Sequence, residues 1–301
     1  MPNHQPIQLK SISEYHKFRG LPKPEHPLIS VVDYTQIKHS PAPVISHFYS
    51  IAIKRGVGKL FYGQQEYDFD EGVMYFLSPG QILKRTAPLD KTEKQSGWIL
   101  LIHPDFLWNT PLAKGIKKYE FFGYSVNEAL HLSDKEETTI GNIIKNIQQE
   151  YHSNIDPFSQ NIIISQIETL LNFAERFYHR QFITRKITNH QILSQLEDLL
   201  NAYFEDETIK AKGLPTVKYI SERLNISPNY LSSLLKTLTG QTTQHLIHEK
   251  LIEKAKEKLS TTELSISEIA YQLGFEHSQS FSKLFKTKTD FTPLEFRQSF
   301  N

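Results

Sequence analysis

The chain has 301 residues, 39% of them hydrophobic, with a formal net charge of +1 and no cysteine. That length accommodates two domains, each with its own core, and the lack of cysteine excludes disulfides and thiol redox chemistry. The polar, Pro-bearing start carries no apolar run of signal-peptide or membrane-spanning length, so the chain reads as soluble and cytoplasmic, with no membrane partner.

The first segment, from about 28 to 105, reads as β-rich. Short apolar or alternating runs recur at Phe48–Ile53, Lys59–Tyr62, Val73–Leu77 and Trp98–Ile102. Turn signals separate them at Arg55-Gly56, Tyr62-Gly63-Gln64, Asp70-Glu71-Gly72 and Ser78-Pro79-Gly80. Many short strands at regular spacing predict a small barrel or sandwich. A metal-dependent barrel enzyme needs clustered His and carboxylate ligands, typically with an H-x-H pair on one strand. No such pair occurs here, and His47 and His103 stand alone. No G-x-S-x-G, P-loop or dinucleotide fingerprint is present either. The chain is therefore read as no enzyme, with no catalytic residue, metal or cofactor. A closed barrel would instead hold one small ligand. Phe48, Phe61, Tyr62, Tyr75 and Phe76 are candidates to line it, although such residues serve as core in either case.

Two helices come next. Ser133-Asp134-Lys135-Glu136 is a capping box, followed by Ile140, Ile143, Ile144, Ile147 and Tyr151 at helical spacing. Asp156-Pro157 starts a second helix with Ile163, Ile164, Ile167, Leu170, Leu171, Ala174 and Phe177 on one broad stripe. Both pack on each other and on the barrel. The stretch from Tyr178 to about Asn189 is polar, basic and weakly periodic, as an interdomain linker would be.

The C-terminal third holds a repeat. In the second copy, Ser265 and Glu268 form a capping box, and Ile266, Ile269, Ala270 and Leu273 make one apolar stripe. Gly274 then stops the helix and Phe275 pins the turn. A further helix from about His277 faces Phe281, Leu284 and Phe285 inward, and Thr292, Pro293 and Glu295 open another. Upstream, Ile220, Ser221, Leu224 and Ile226 match Ile269, Ala270, Leu273 and Phe275 at an offset of 49, with Asn225 in the place of Gly274. Leu231, Leu234, Leu235 and Lys236 match Phe281, Leu284, Phe285 and Lys286 at an offset of 50, so the second turn has one extra residue. Two tandem helix-turn-helix units, joined by a helix over about Thr243–Leu259, suggest two modules that read different base pairs.

These residues carry a resemblance. The segment from about Leu193 to Phe296 resembles the DNA-binding domain of the AraC/XylS family of bacterial transcription regulators. The match rests on EIAYQLGFEHSQSFSKLFKTKTDFTPLEFR (268–297) and its counterpart ISPNYLSSLLKTLTG (226–240), about a third of the chain. This chain departs from the family pattern at Asp290 (usually Gly), at Leu235-Lys236 (usually Phe-Lys) and at Lys250 (often Arg, a better bidentate donor). The resemblance implies that the second helix of each unit enters the major groove of double-stranded DNA. Its base-edge candidates are Asn229, Ser232 and Ser233 in the first unit, and Ser278, Gln279, Ser282 and Lys283 in the second. Gln279 suits adenine and Lys283 guanine, while Lys236 and Lys286 suit phosphates. For each serine an ordinary solvent-facing role is the competing reading.

By the same resemblance, GVGKLFYGQQEYDFDEGVMYFLSPGQ (56–81) looks like part of the cupin-like sensor domain that precedes the DNA-binding domain in many such regulators, and one of the two middle helices would form a dimer interface. RNA polymerase, a small-molecule effector and a second copy of the chain are then further candidate partners. Charge adds a qualification. From residue 190 onward there are 13 Lys and Arg against 14 Asp and Glu; from 208 onward, 13 against 9. Lys283, Lys286 and Lys288 crowd the second reading helix, yet DNA affinity should be modest and salt-sensitive.

The expectation is an α+β two-domain chain. Residues 1–177 form a cupin-like β-barrel with a two-helix extension (about 134–152 and 157–178), 178–192 a linker, and 193–301 an all-α domain of two helix-turn-helix units joined by a linker helix. The function expected is sequence-specific transcription regulation, controlled by a ligand or by dimerisation through the barrel. The alternatives are a DNA-binding dimer that senses nothing and a metal-free cupin-like enzyme.

Overall fold

The computed structural model describes residues 6–38, 42–55, 72–83, 96–125, 128–152, 156, 158–206 and 213–299. The chain divides into two compact units, Met1–Gln181 and Phe182–Asn301. The first is rich in strands and the second is helical. Among the described residues, no helix is long and apolar enough to cross a membrane.

In the first unit, β1 (Ile7–Leu9), β3 (Val44–Ser46) and β6 (Ile82–Leu83) form a three-stranded sheet in the order β1-β3-β6. A five-stranded sheet follows the order β2 (Ile29–Asp33), β7 (Ser96–Ile102), β4 (Tyr49–Arg55), β5 (Val73–Leu77) and β8 (Leu130–His131). These strands do not make a closed barrel among the described residues. The run Lys59–Tyr62 lies outside them, with Phe61 and Tyr62.

Register explains why the five-stranded sheet is buried on both sides. Ile51 pairs with Phe76 and Leu100, while Ala52 pairs with Tyr75 and Ile99. Successive strand residues point to opposite faces, so Tyr75 and Phe76 do not line one space. Tyr75 joins a core with Tyr15, Tyr34 and Phe48. Phe76 packs on Phe121, Phe122 and Tyr178. Gly97, at φ 125°, lies where a Cβ would come within 2.0 Å of the Ile53 carbonyl oxygen, so only glycine fits at that crossing.

The first helix, α1 (Ile12–Arg19), follows β1, and the one-turn α2 (Leu112–Gly115) lies beyond β7. The helices α3 (Asp134–His152) and α4 (Ser159–Thr184) follow β8. The expected capping box is present: Ser133 N–H donates to Glu136 Oε2 at 2.9 Å, and Glu136 N–H to Ser133 Oγ at 3.4 Å. The stripes read from sequence are buried in both helices. At the end of this unit the Gln181 side chain accepts from His131 N–H at 2.8 Å and donates to the Ala129 carbonyl at 3.2 Å, so an amide stands in for a further strand beside β8. His47 and His103 each have a partner, Gln8 Oε1 at 2.8 Å and Asp105 N–H at 3.3 Å.

The second unit runs through α5 (Lys186–Glu205), α6 (Val217–Arg223), α7 (Pro228–Thr239), α8 (Thr243–Thr261), α9 (Ile266–Gln272), α10 (Ser278–Thr289) and α11 (Pro293–Gln298). The stretch 178–192 is helical on either side of Arg185. Helix α8 is central and touches α5, α7, α9, α10 and α11. Its Ile247, Leu251 and Ala255 are completely buried, in one core with Ile220, Leu231, Ile269, Phe281 and Phe285.

Candidate nucleic-acid interface

The repeat in sequence is a repeat in space. Helices α6 and α9 coincide at an offset of 49, α7 and α10 at 50. Each unit turns by the same device. Asn225 (φ 55°) and Gly274 (φ 85°) adopt the left-handed conformation just past the first helix. The next residue then reaches back: Ile226 N–H to Ser221 O, and Phe275 N–H to Ala270 O, both at 3.0 Å. These bonds answer carbonyls that a helix end would otherwise leave unpaired. Both turn residues are followed by an apolar side chain packed on the core. The crossing of the two helices is close, which is why Ser221 and Ala270 are small and buried; the Ser221 hydroxyl is satisfied by Lys218 O at 2.9 Å.

The second helix of each unit is fixed from within. Leu231, Leu234 and Leu235 anchor α7, and Phe281 and Phe285 anchor α10, all fully buried. Burial contributes roughly 1.5–3 kcal/mol for each such side chain. Leu284 is only partly buried, so the expected inward triad of α10 is two residues deep with a third at its margin. Ser227 caps α7 by accepting from Tyr230 N–H at 3.2 Å. His277, at the matching place before α10, makes no side-chain cap.

A residue advances about 100° around a helix. Asn229, Ser232, Ser233 and Lys236 therefore gather on the side of α7 opposite its leucines. Gln279, Lys283 and Lys286 gather opposite the phenylalanines of α10, with Ser282 at the margin, whereas Ser278, seven residues before Phe285, falls on the same side as that ring. Asn229, Lys236, Gln279, Lys283 and Lys286 are exposed, and the four serines are half-buried. Ser232 lies at the margin of its face, with Oγ 3.5 Å from Thr243 Oγ1 of α8.

Other cations are engaged elsewhere. Lys250 pairs with Glu253 at 2.8 Å, and Lys254 with Glu257 at 3.1 Å and Glu205 at 3.4 Å. Lys288, grouped with Lys283 and Lys286 by sequence, has its ammonium 3.1 Å from His245 Nδ1, while His245 Nε2 meets Glu249 at 3.0 Å. This chain fixes α10 against α8. Only its i,i+4 half, His245–Glu249, leaves a trace in sequence. Burial first, then the charge on Lys288, pulls the neighbouring His248 below the ordinary histidine range. Arg297, the last letter of the signature, is a brace: its guanidinium donates to Leu259 O at 3.2 Å and Leu264 O at 2.7 Å.

Two compact helical units with outward polar faces, held by one shared helix, define a tandem helix-turn-helix domain. Residues 220–299 match the family model described as a helix-turn-helix domain. An uncharacterised HTH-type transcriptional regulator of Pseudoalteromonas carrageenovora is 31% identical over 116 residues, which is 38% of this chain and 64% of that protein. One from Staphylococcus aureus is 28% identical over 138 residues, or 46% of this chain. The chain spans only 17% of the length of that relative. Among solved structures, the C-terminal domain of the response regulator YesN of Fusobacterium nucleatum is 34% identical; the match covers 34% of this chain and 93% of that one, at a TM-score of 0.30. Residues 220–299 are thus a helix-turn-helix domain of the AraC type.

Proposed function

We propose that the protein is a sequence-specific DNA-binding transcription regulator. The observation that carries this reading is the pair of outward polar faces on α7 and α10, each opposite its buried anchors and both attached to α8. Helices so presented fit successive major grooves of double-stranded DNA. Asn229, Ser232, Ser233, Ser278, Gln279, Ser282 and Lys283 read base edges, and Lys236 and Lys286 meet phosphates. The DNA-binding part corresponds to 193–301, joined by 178–192 to a regulatory part, 1–177. In this reading the strand-rich sheets belong to a cupin-like barrel that controls DNA binding by taking a small effector or by pairing two copies, with RNA polymerase as the downstream partner.

Binding to the chain's own promoter region, compared with random DNA at two salt concentrations, tests the reading. The wild type should prefer its site and lose affinity as salt rises. Gln279→Ala and Lys283→Ala should each remove about 1–3 kcal/mol of preference. Lys236→Ala and Lys286→Ala should weaken all DNA alike and reduce the salt slope by about 1 each. Salt-independent binding, or no preference to lose, overturns the proposal.

A further inference from the structure

We infer that Arg19 anchors a binding site for a small organic oxyanion, a carboxylate or phosphate ester with an apolar body, in the strand-rich N-terminal unit. The inference rests on the proposal that this unit takes a small ligand, and it supplies the chemical class. The buried stripe of α1 is Ile12, Tyr15, His16 and Arg19, at helical steps of three and four. Three of these residues are accounted for. Ile12 and Tyr15 belong to the sheet core. His16 is satisfied at both nitrogens, by Pro22 O at 2.6 Å and Ser30 Oγ at 3.0 Å. Arg19 is the exception. It is only 8% exposed, and its Nε is the one buried side-chain polar atom without a hydrogen-bond partner among the described residues. No described carboxylate forms an ion pair with it.

What surrounds the guanidinium is aromatic, and apart from Nε it has a polar neighbour, the hydroxyl of Tyr15. It lies 5.6 Å from the Tyr15 ring centroid and 5.0 Å from that of Phe18. The exposed Lys38 adds a second positive charge at this end of α1. Its amide donates to Arg19 O at 2.9 Å and its aliphatic stem crosses Gly20. Ring faces and the negative end of α1 offset part of the buried charge. Both effects are small beside the desolvation of an ion that no described carboxylate balances. An oxyanion supplies what is missing: two oxygens matched to the planar fork. A carbon skeleton attached to it would lie against the Tyr15 and Phe18 rings.

Thermal melting of the full chain with 3-phenylpropionate or phenyl phosphate, each at about 10 mM, tests this. The neutral 3-phenylpropionamide and inorganic phosphate serve as controls. One of the two organic anions should raise the wild-type Tm by about 2 °C or more, and which one does so identifies the anion. Arg19→Met should melt at or above the wild-type temperature, because it removes a buried charge that no described carboxylate balances, and should not respond to either anion. Arg19→Lys keeps the charge, loses the fork, and should bind about tenfold more weakly. Equal shifts with the neutral amide, shifts retained in Arg19→Met, or no shift with either anion would each overturn the site. So would an Arg19→Met protein that melts well below wild type, since the guanidinium would then be a structural strut. The readout involves no DNA, so failure here and failure of the regulator reading are separable.

Discussion

The two helix-turn-helix units share a backbone and little else. The second is closed by aromatic rings, Phe275 on Phe281, Phe281 on Phe285 and Phe285 on Phe296, at centroid distances of 5.5–5.8 Å. The first is closed by leucines. The second opens with a complete capping box, Ser265 with Glu268; the first has the Thr216 cap alone. The second carries Lys283 and Lys286 on its reading face, the first only Lys236. One chain has thus met the same geometric demand twice with different chemistry. What recurs is the left-handed turn, the small crossing residue and the three inward positions. Each unit offers three uncharged candidates, Asn229, Ser232 and Ser233 against Ser278, Gln279 and Ser282, so the two sets differ in charge alone.

Deleting a core side chain from each unit gives the largest expected contrast. Phe281→Ala should lower unfolding free energy by about 3–5 kcal/mol and Leu231→Ala by about 2–5, as the cavity grows with the volume removed. Urea denaturation measures both, and a costlier Leu231→Ala would invert the ranking. The turns come next. At Gly274 an added Cβ would sit 2.9 Å from the Gly213 carbonyl carbon and oxygen, and φ is positive as well. Gly274→Ala should therefore cost roughly 2–4 kcal/mol. Asn225→Ala carries only the left-handed penalty, about 1–2 kcal/mol. Equal losses would remove the distinction between the two turns.

The smallest contrast is in acid. Glu295 closes the Thr292 box, and the Thr292 backbone N–H, followed by its hydroxyl, holds the Glu295 carboxyl below its ordinary value of 4.5. A depressed carboxylate contributes stability above its unfolded value and loses it as pH falls through the folded one. Glu295→Gln keeps the box but does not titrate. It should therefore flatten the loss of stability between roughly pH 5 and pH 3. At the matching place after the first unit, Thr242 caps His245 N–H with no acid in the box. Thr242→Val should cost about 1 kcal/mol at either pH. An unchanged acid limb in Glu295→Gln would show that the cap carboxylate is energetically idle.

The helical unit was legible because its signals are local: caps, left-handed turn residues and three- and four-step stripes all fall within a few residues of one another. The strand-rich unit was legible only in part. Its long central strands, β4, β5 and β7, announce themselves as apolar runs. The short β1, β3 and β6 do not, since two or three residues carry no period, and β1 pairs in parallel with β3 from 37 residues away (Ile7 with Val44). Tyr75 and Phe76 do not line one interior, because a strand covered on both faces sends successive apolar side chains to opposite sides. Within the candidate interface, the outward positions followed from the repeat, but the attachment of Lys288 to His245 spans 43 residues and has no sequence signal. Arg19 has no sequence signal, because an arginine ending a short helix usually faces water.

The brace made by Arg297 has a consequence for how the domain comes apart. Its two carbonyl partners flank the end of α8, at Leu259 and Leu264, more than 30 residues earlier in the chain. A six-residue terminal helix would ordinarily fray first and alone. Here its opening also releases the last turn of the helix on which both units are mounted. The tail and the centre of the domain thus belong to one cooperative block, with amide hydrogens that exchange together.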